Sequence, residues 1–264
     1  MESRKQSVLA LKKQGYSVLC QVIDPAILPP IPQLVDQIHH HAEMGLEDPF
    51  SSYYLRHRYD QGVLYDLYQR HPEFQSLAKQ HRVLDVLEGV LGPDIFLYEN
   101  SLVYKPKNKV NAVPWHQDFI SRPHEPKKYV VWMALDDVQV SNDALKVIPV
   151  SHQKGYLPWH RVKGETHHDR LDTRYIDESA AKYVELKAGD VLIFDAMLCH
   201  SSDEVNVVTN RRAYRVSYQG IASIYTPRGS PLMMRGGNPS SLQSRYSKQQ
   251  VDLPQKSWFA QAIK

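Results

Sequence analysis

At Gly92-Pro93-Asp94 the apolar rhythm of the chain changes, and that change limits the folds open to it. Before it, apolar residues recur at helical intervals: Leu34, Val35 and Ile38, then Val63, Leu64, Leu67 and Tyr68, then Val83, Leu84, Val86, Leu87 and Val90. After it come short strand-like runs bounded by turn residues. They cover 95–104, 113–119, 129–135, 145–150, 190–195 and 213–220, and Ala196 to His200 leads into a further one. So many short strands predict two facing antiparallel sheets, a roll or sandwich, because each sheet must bury one face. The expected fold class is mainly β with flanking α, the helical half bracing one sheet from outside. The expected organisation is a single domain over 1–264: a helical part to about 92, a β-roll core at about 93–220, and a tail at about 221–264.

Within the first part, Val8, Leu9 and Leu11 predict a helix stopped by Gly15. Residues 16–22 read as a strand. Asp24-Pro25 pairs a capping residue with proline at a first helical position, and a further helix is expected after Pro29, Pro30 and Pro32. His39-His40-His41 reads as a solvated helix end, since successive helical side chains diverge by about 100° and cannot chelate together. The long polar stretch 151–181 interrupts the strand rhythm and has the character of a lid or binding loop.

Composition excludes several classes. The 264 residues carry a net charge of +3 with both signs interspersed, which argues against nucleic-acid and membrane partners. No apolar run approaches a membrane span, and the opening Met1-Glu2-Ser3-Arg4-Lys5 lacks a secretory signal core. Two cysteines, Cys20 and Cys199, make no disulfide framework, so a cytoplasmic location is expected.

The chemistry concentrates in Pro114-Trp115-His116-Gln117-Asp118-Phe119. If this run is a strand, His116 and Asp118 share a face. The 13 His and 29 acidic residues should give about one or two His-x-Asp/Glu matches by chance. There are three. His71-Pro72-Glu73 falls at a break between helices, and His167-His168-Asp169 lies in a wholly polar segment. Only His116-Gln117-Asp118 has Val113, Trp115 and Phe119 around it. A second imidazole, His200, would complete two His and one carboxylate, a set that holds Fe(II) on one face and leaves the opposite positions open.

The order of motifs resembles that of the phytanoyl-CoA dioxygenase family, iron(II)- and 2-oxoglutarate-dependent oxygenases built on a double-stranded β-helix of jelly-roll or cupin-like form. The likeness runs from Gln14-Gly15-Tyr16 to Tyr218. It includes Lys105-Pro106, His116-Gln117-Asp118, Trp132-Met133-Ala134-Leu135-Asp136-Asp137, Val147-Ile148-Pro149-Val150-Ser151-His152, Gly189-Asp190, and His200-Ser201-Ser202 followed by Asn206 and Arg211-Arg212-Ala213. Val150 and Ser201 stand where glycine is usual, and Asn142-Asp143-Ala144 where Asn-Gly is favoured. These departures bear on local backbone shape.

The resemblance implies Fe(II) ligation by His116, Asp118 and His200, with 2-oxoglutarate and O2 as cosubstrates. An arginine fork should take the outer carboxylate of the oxo acid. Arg211 and Arg212 compete, and on a strand only one points inward; the family spacing from His200 selects Arg211. By the same likeness Ser202, Gln117, Trp132 and Ser101 contact the cosubstrate. For the small-molecule substrate, Tyr98, Asn100, Tyr53, Tyr54, Trp159 and the Tyr225-Thr226-Pro227-Arg228 loop are candidate pocket walls. Their polarity favours a small polar, amino-acid-like molecule or natural-product intermediate, hydroxylated or desaturated at a C–H bond. The alternatives are an acyl-CoA hydroxylase of the same family and a cupin-type non-redox metal protein.

Overall fold

The computed structural model describes residues 3–44, 57–58, 63–107, 112–118, 127–164, 169–204, 209–221 and 232–236. Helix α1 (Arg4–Gln14) opens with a reciprocal cap, in which the Ser3 hydroxyl accepts from the Gln6 N–H and the Gln6 side chain accepts from the Ser3 N–H. Gly15 ends it at φ 87°, where a Cβ would also sit 2.5 Å from His152 Nδ1. Strand β1 (Tyr16–Leu19) follows.

Asp24-Pro25 does not start a helix. The Asp24 carboxylate accepts from the Ala26 N–H, and its carbonyl accepts from Ile27 and Leu28. That single turn stops because Leu28 precedes Pro29, and a residue before proline avoids helical backbone. Helix α2 begins only at Pro30 (Pro30–Met44) and buries Ile31, Val35, Ile38 and Ala42 on one stripe. The stripe also takes His39, buried edge-on against Tyr104 at 4.6 Å, while His40 and His41 are exposed. The expected solvated triplet is therefore solvated at two positions only.

Strand β2 (His57–Arg58) and strand β3 (Val63–Tyr65) come next. The helical spacing around Val63 is overridden: Val63, Leu64 and Tyr65 pair with the next long strand, and Asp66 at φ 67° turns the chain into a short 3₁₀ turn, Leu67–Gln69. An open strand edge next to β-branched and aromatic residues outweighs weak local helix propensity. Helix α3 (Pro72–Ala78) and helix α4 (His81–Leu91) complete the helical part, with His71-Pro72-Glu73 at the start of α3.

The strands of the roll are β4 (Ile95–Lys105), β5 (Val113–His116), β6 (Tyr129–Ala134), β7 (Leu145–Val147), β8 (Trp159–Arg161), β9 (Asp169–Leu171), β10 (Lys182–Val184), β11 (Val191–Asp195), β12 (His200–Ser202), β13 (Arg211–Gly220) and β14 (Leu232–Arg235). An eight-stranded antiparallel sheet runs β1-β11-β6-β13-β4-β3-β2, with β14 also on β4. A four-stranded sheet runs β10-β7-β12-β5, and β8 and β9 form a separate ribbon.

Strand parity gives the large sheet two buried faces. Tyr129, Val131, Met133, Ile193, Tyr214, Val216 and Tyr218 pack with Leu11, Val35, Leu84 and Leu87 of the helices. Val130, Trp132, Ala134, Leu192, Phe194 and Ala213 pack with Val147 and Val184 of the small sheet. Burial on both sides explains why β6, and β11 up to Phe194, are apolar instead of alternating.

The expected polar insertion contains the β8–β9 ribbon, whose Arg161 grips the Asp169 carboxylate, and Leu171, which packs with Trp115, Ile148, Leu157 and Cys199. Two of the three family departures keep the backbone that glycine would supply: Val150 holds φ 70° and Asp143 φ 73°, whereas Ser201 does not take positive φ. Left-handed backbone at such residues costs on the order of 1 kcal/mol.

Candidate metal centre and its inner face

Strands β5 and β12 lie side by side in the small sheet, and His200 pairs in register with His116. Directly opposed residues project to the same side, so two imidazoles far apart in sequence meet with ring centroids 4.0 Å apart. Asp118 arrives differently from the expectation. β5 ends at His116, and Asp118 sits in the following turn, its N–H donating to the Ala196 carbonyl at 2.9 Å. The ligand atoms of His116, Asp118 and His200 lie within 4.8 Å of one another. Asp118 Oδ1 is 3.9 Å from Nε2 of each imidazole.

Both rings are oriented by their own backbone. Nδ1 of His116 lies 2.9 Å from the Pro114 carbonyl, and Nδ1 of His200 lies 2.9 Å from the Leu198 carbonyl. A carbonyl can only accept, so each Nδ1 carries the proton and each Nε2 turns a lone pair toward Asp118. Burial keeps the rings neutral: it lowers His116 and, with the neighbouring His116, pushes His200 down to about 3. Burial alone would raise Asp118. The Arg215 guanidinium foremost, with Lys128 among the others, outweighs it and holds the carboxyl well below the usual range. Two neutral imidazoles and one carboxylate on a shared point fit a divalent ion of the Fe(II) kind.

The inner face of the large sheet continues the site. Across β4 and β13, Lys105 opposes Arg211, Val103 opposes Ala213, Ser101 opposes Arg215 and Glu99 opposes Ser217. Arg211 is 2% exposed, its guanidinium 5.2 Å from the Trp132 ring, and burial lowers it to about 10. Its Nη1 donates to the Asp143 carbonyl at 2.6 Å, and its Nε has no partner among the described residues. Lys105 pairs with the Asp143 carboxylate and donates to Ser202 Oγ at 3.0 Å. The Ser101 and Ser217 hydroxyls are likewise buried without a described partner. Two buried basic side chains against one carboxylate, burial drawing Lys105 down to about 6 and leaving Arg211 Nε to spare, fit the outer carboxylate of a dianionic oxo acid.

Arg212 faces the other way. It pairs with Asp36 of α2 and with Asp136, outside the roll. Other expected site residues are placed apart from the centre. Gln117 is 1% exposed, but its amide is spent on backbone: it donates to the Gly155 and Met197 carbonyls and accepts from the Leu157 N–H. Asn100 points to the helical side, accepting from the Tyr68 N–H and donating to Gln69. Trp159 is 41% exposed on the β8–β9 ribbon, stacked by Arg161. Tyr98 lies under Lys128 at 5.0 Å. Tyr53, Tyr54, Tyr225 and Arg228 lie outside the described residues. Sequence reasoning did not single out Arg215, Glu99, Lys128 or Asp143. Arg215 could have been found, because it shares strand parity with Arg211.

A profile for phytanoyl-CoA dioxygenase (PhyH) matches residues 11–213. The chain belongs to the phytanoyl-CoA dioxygenase family. Its membership accords with the ordered motifs and with the roll. An ectoine dioxygenase of Sphingopyxis alaskensis is 28% identical over 161 residues, covering 53% of this chain and 51% of that protein. A probable alpha-ketoglutarate-dependent hypophosphite dioxygenase of Stutzerimonas stutzeri is 26% identical over 149 residues, covering 54% and 51%. The chain thus spans about half the length of these curated relatives. Among solved structures, EvdO2 of Micromonospora carbonacea var. aurantiaca complexed with 2-oxoglutarate superposes with a TM-score of 0.67 at 18% identity, covering 86% of this chain and 95% of that one. The family chain therefore has the double-stranded β-helix expected of it. No helix among the described residues is long and apolar enough to cross a membrane.

Proposed function

We propose that this family member is a non-heme Fe(II)- and 2-oxoglutarate-dependent dioxygenase that hydroxylates or desaturates a C–H bond of a small polar molecule, amino-acid-like or a natural-product intermediate. The observation that carries the reading is the cross-strand pair His116–His200 with Asp118, beside an inward arginine that has a donor to spare. Nε2 of His116, Nε2 of His200 and Oδ1 of Asp118 would hold the iron. Arg211, with Lys105 opposite it and Ser202 bonded to Lys105, would receive the outer carboxylate of the oxo acid, Trp132 would wall it from water, and Ser101 would line the same inner face farther along β4. Iron held there would, with 2-oxoglutarate and O2, supply the oxidation: one oxygen atom would go into succinate as CO2 is lost, and the other into the substrate's new hydroxyl, or into water if the substrate is desaturated.

The residues between the centre and the large sheet are Glu99, Arg215 and Lys128, which are polar and charged. That lining supports a polar substrate over a fully apolar acyl chain. The ectoine dioxygenase relative supports the same direction. The unpaired cysteines, exposed Cys20 and buried Cys199, suit a reducing cytoplasmic setting.

The test is anaerobic. Fe(II) and 2-oxoglutarate added to the protein should give a weak visible metal-to-ligand charge-transfer band, lost in His116→Ala. Aerobic incubation with metabolite fractions should then release succinate in a substrate-dependent way. A protein that binds Fe(II) yet shows no band with the oxo acid would return the chain to the non-redox reading.

A further inference from the structure

Asp118 has two oxygens, and the structure treats them differently. Oδ1 is the atom 3.9 Å from both imidazole nitrogens. Oδ2 forms an ion pair with Arg215 Nη2 at 3.1 Å, without hydrogen-bond geometry. The other terminal nitrogen of Arg215, Nη1, donates to Glu99 Oε1 at 2.9 Å. Arg215 itself is anchored in the middle of the large sheet, between Ser101 on β4 and Trp132 on β6. Glu99 reaches it because alternation along β4 puts Glu99 on the same face as Ser101, Val103 and Lys105, in a register with β13 that is unbroken from Arg211 to Ser217. By contrast, Asp118 lies beyond the end of β5 in a turn, where its carboxylate has rotational freedom unless something holds it.

We propose that Arg215, steadied by Glu99, is a positioning residue that keeps Asp118 a one-oxygen ligand. The inference rests on the iron-dependent reading given above. A carboxylate can bind a cation through one oxygen or through both. Six positions around Fe(II) divide among two imidazoles, one carboxylate oxygen, two oxygens of the oxo acid and one left open for O2. A two-oxygen aspartate takes one of the last three and competes directly with the oxo acid. A guanidinium on Oδ2 prevents that rotation. Glu99 holds the second nitrogen and so stops the arginine from closing a two-point fork on Asp118, which would draw Oδ1 off the metal as well.

The test needs no prime substrate. Fe(II) protein is titrated anaerobically with 2-oxoglutarate, following the charge-transfer band, in wild type, R215Q, R215K and the double variant R215M/E99M. Fe(II) affinity is measured separately by competition, and folding by circular dichroism and thermal midpoint. Wild type should show the band. R215Q should keep Fe(II) affinity within about threefold but need at least tenfold more 2-oxoglutarate, and R215K should recover part of the loss. The double variant separates positioning from a structural ion pair. The pair is half-buried, and even fully buried pairs can commonly be replaced by apolar residues without loss of stability, so R215M/E99M should fold as wild type and still need at least tenfold more 2-oxoglutarate. A double variant that binds 2-oxoglutarate like wild type overturns the inference and leaves the iron reading intact. A wild type without the band overturns both.

Discussion

Arg211 and Arg212 are chain neighbours with the same side chain, on one strand, and they do opposite jobs. Arg212 lies on the outer face, its nitrogens shared between the carboxylates of Asp36 and Asp136, and those acids raise it against the pull of burial. Arg211 lies on the inner face, buried beside another basic side chain, with a backbone carbonyl and an aromatic ring for company and its Nε without a described partner. The outer one is satisfied by the fold. The inner one has donor capacity that the fold leaves unused. The same contrast runs along β13: Tyr214 and Tyr218 find acceptors outside, while the Ser217 hydroxyl finds none inside. A buried polar group whose partners are missing costs about 1–3 kcal/mol, so a face carrying several such groups is shaped for a ligand.

That comparison can be broken in solution. The largest effect should follow from Arg211→Ala: the apparent requirement for 2-oxoglutarate should rise about 100-fold, in line with loss of a charge-assisted fork. Its thermal midpoint should hold or rise. Arg212→Ala should do the reverse, lowering stability by about 2 kcal/mol in urea melts through loss of two carboxylate pairs, with little change in cosubstrate requirement. Exchanged outcomes would put the register of β13 out by one residue.

Acid should strike the inner face first. In metal-free protein the folded state holds His200 neutral down to about pH 3, whereas an unfolded imidazole takes a proton near 6.5. The unfolded state therefore binds more protons in that window, and stability falls as pH drops from about 6.5, by roughly 1 kcal/mol per pH unit. Below the usual carboxylate range Asp118 acts in the same direction, since its folded form resists protonation. Thermal melts of chelated protein between pH 7.5 and 4.5 measure this. Saturating Fe(II) should raise the curve over this range without flattening it, because the folded protein already holds both rings deprotonated there.

The smallest contrast is between two hydroxyls. Tyr218→Phe removes a 2.6 Å bond to the Ala78 carbonyl and should cost about 1 kcal/mol. Ser217→Ala removes a hydroxyl with no described partner and should be neutral or stabilising by up to about 1 kcal/mol. Equal losses would mean that the inner face is satisfied in ways its geometry does not show.

Much of this was legible in the order of residues. The helix stopped by Gly15, helix α4, strands β4, β6, β11 and β13, and the convergence of His116 with His200 all follow from periodicity and motif order. What escaped was set by contacts distant in sequence. Val63–Tyr65 became a strand because β4 had an edge to offer. Asn100 faces outward and Glu99 inward by alternation from Lys105, a parity that only the pairing of β4 with β13 fixes. Gln117 looked like a cosubstrate contact and instead ties the loops at Gly155, Leu157 and Met197 together. Asp143 retained a glycine-like backbone yet brought a carboxylate into the charged cluster, which spacing alone does not reveal.

The placement of β5 has one more consequence. It is four residues long and, among the described residues, forms the outermost strand of the small sheet, paired on one side only, with β12. An ion gripping His116 and His200 is then a rivet through the weakest seam of the roll. Deuterium uptake at Trp115 and His116 should slow on metal loading more than anywhere in β6 or β11, so that the protein stiffens at the proposed centre only once the ion is in place.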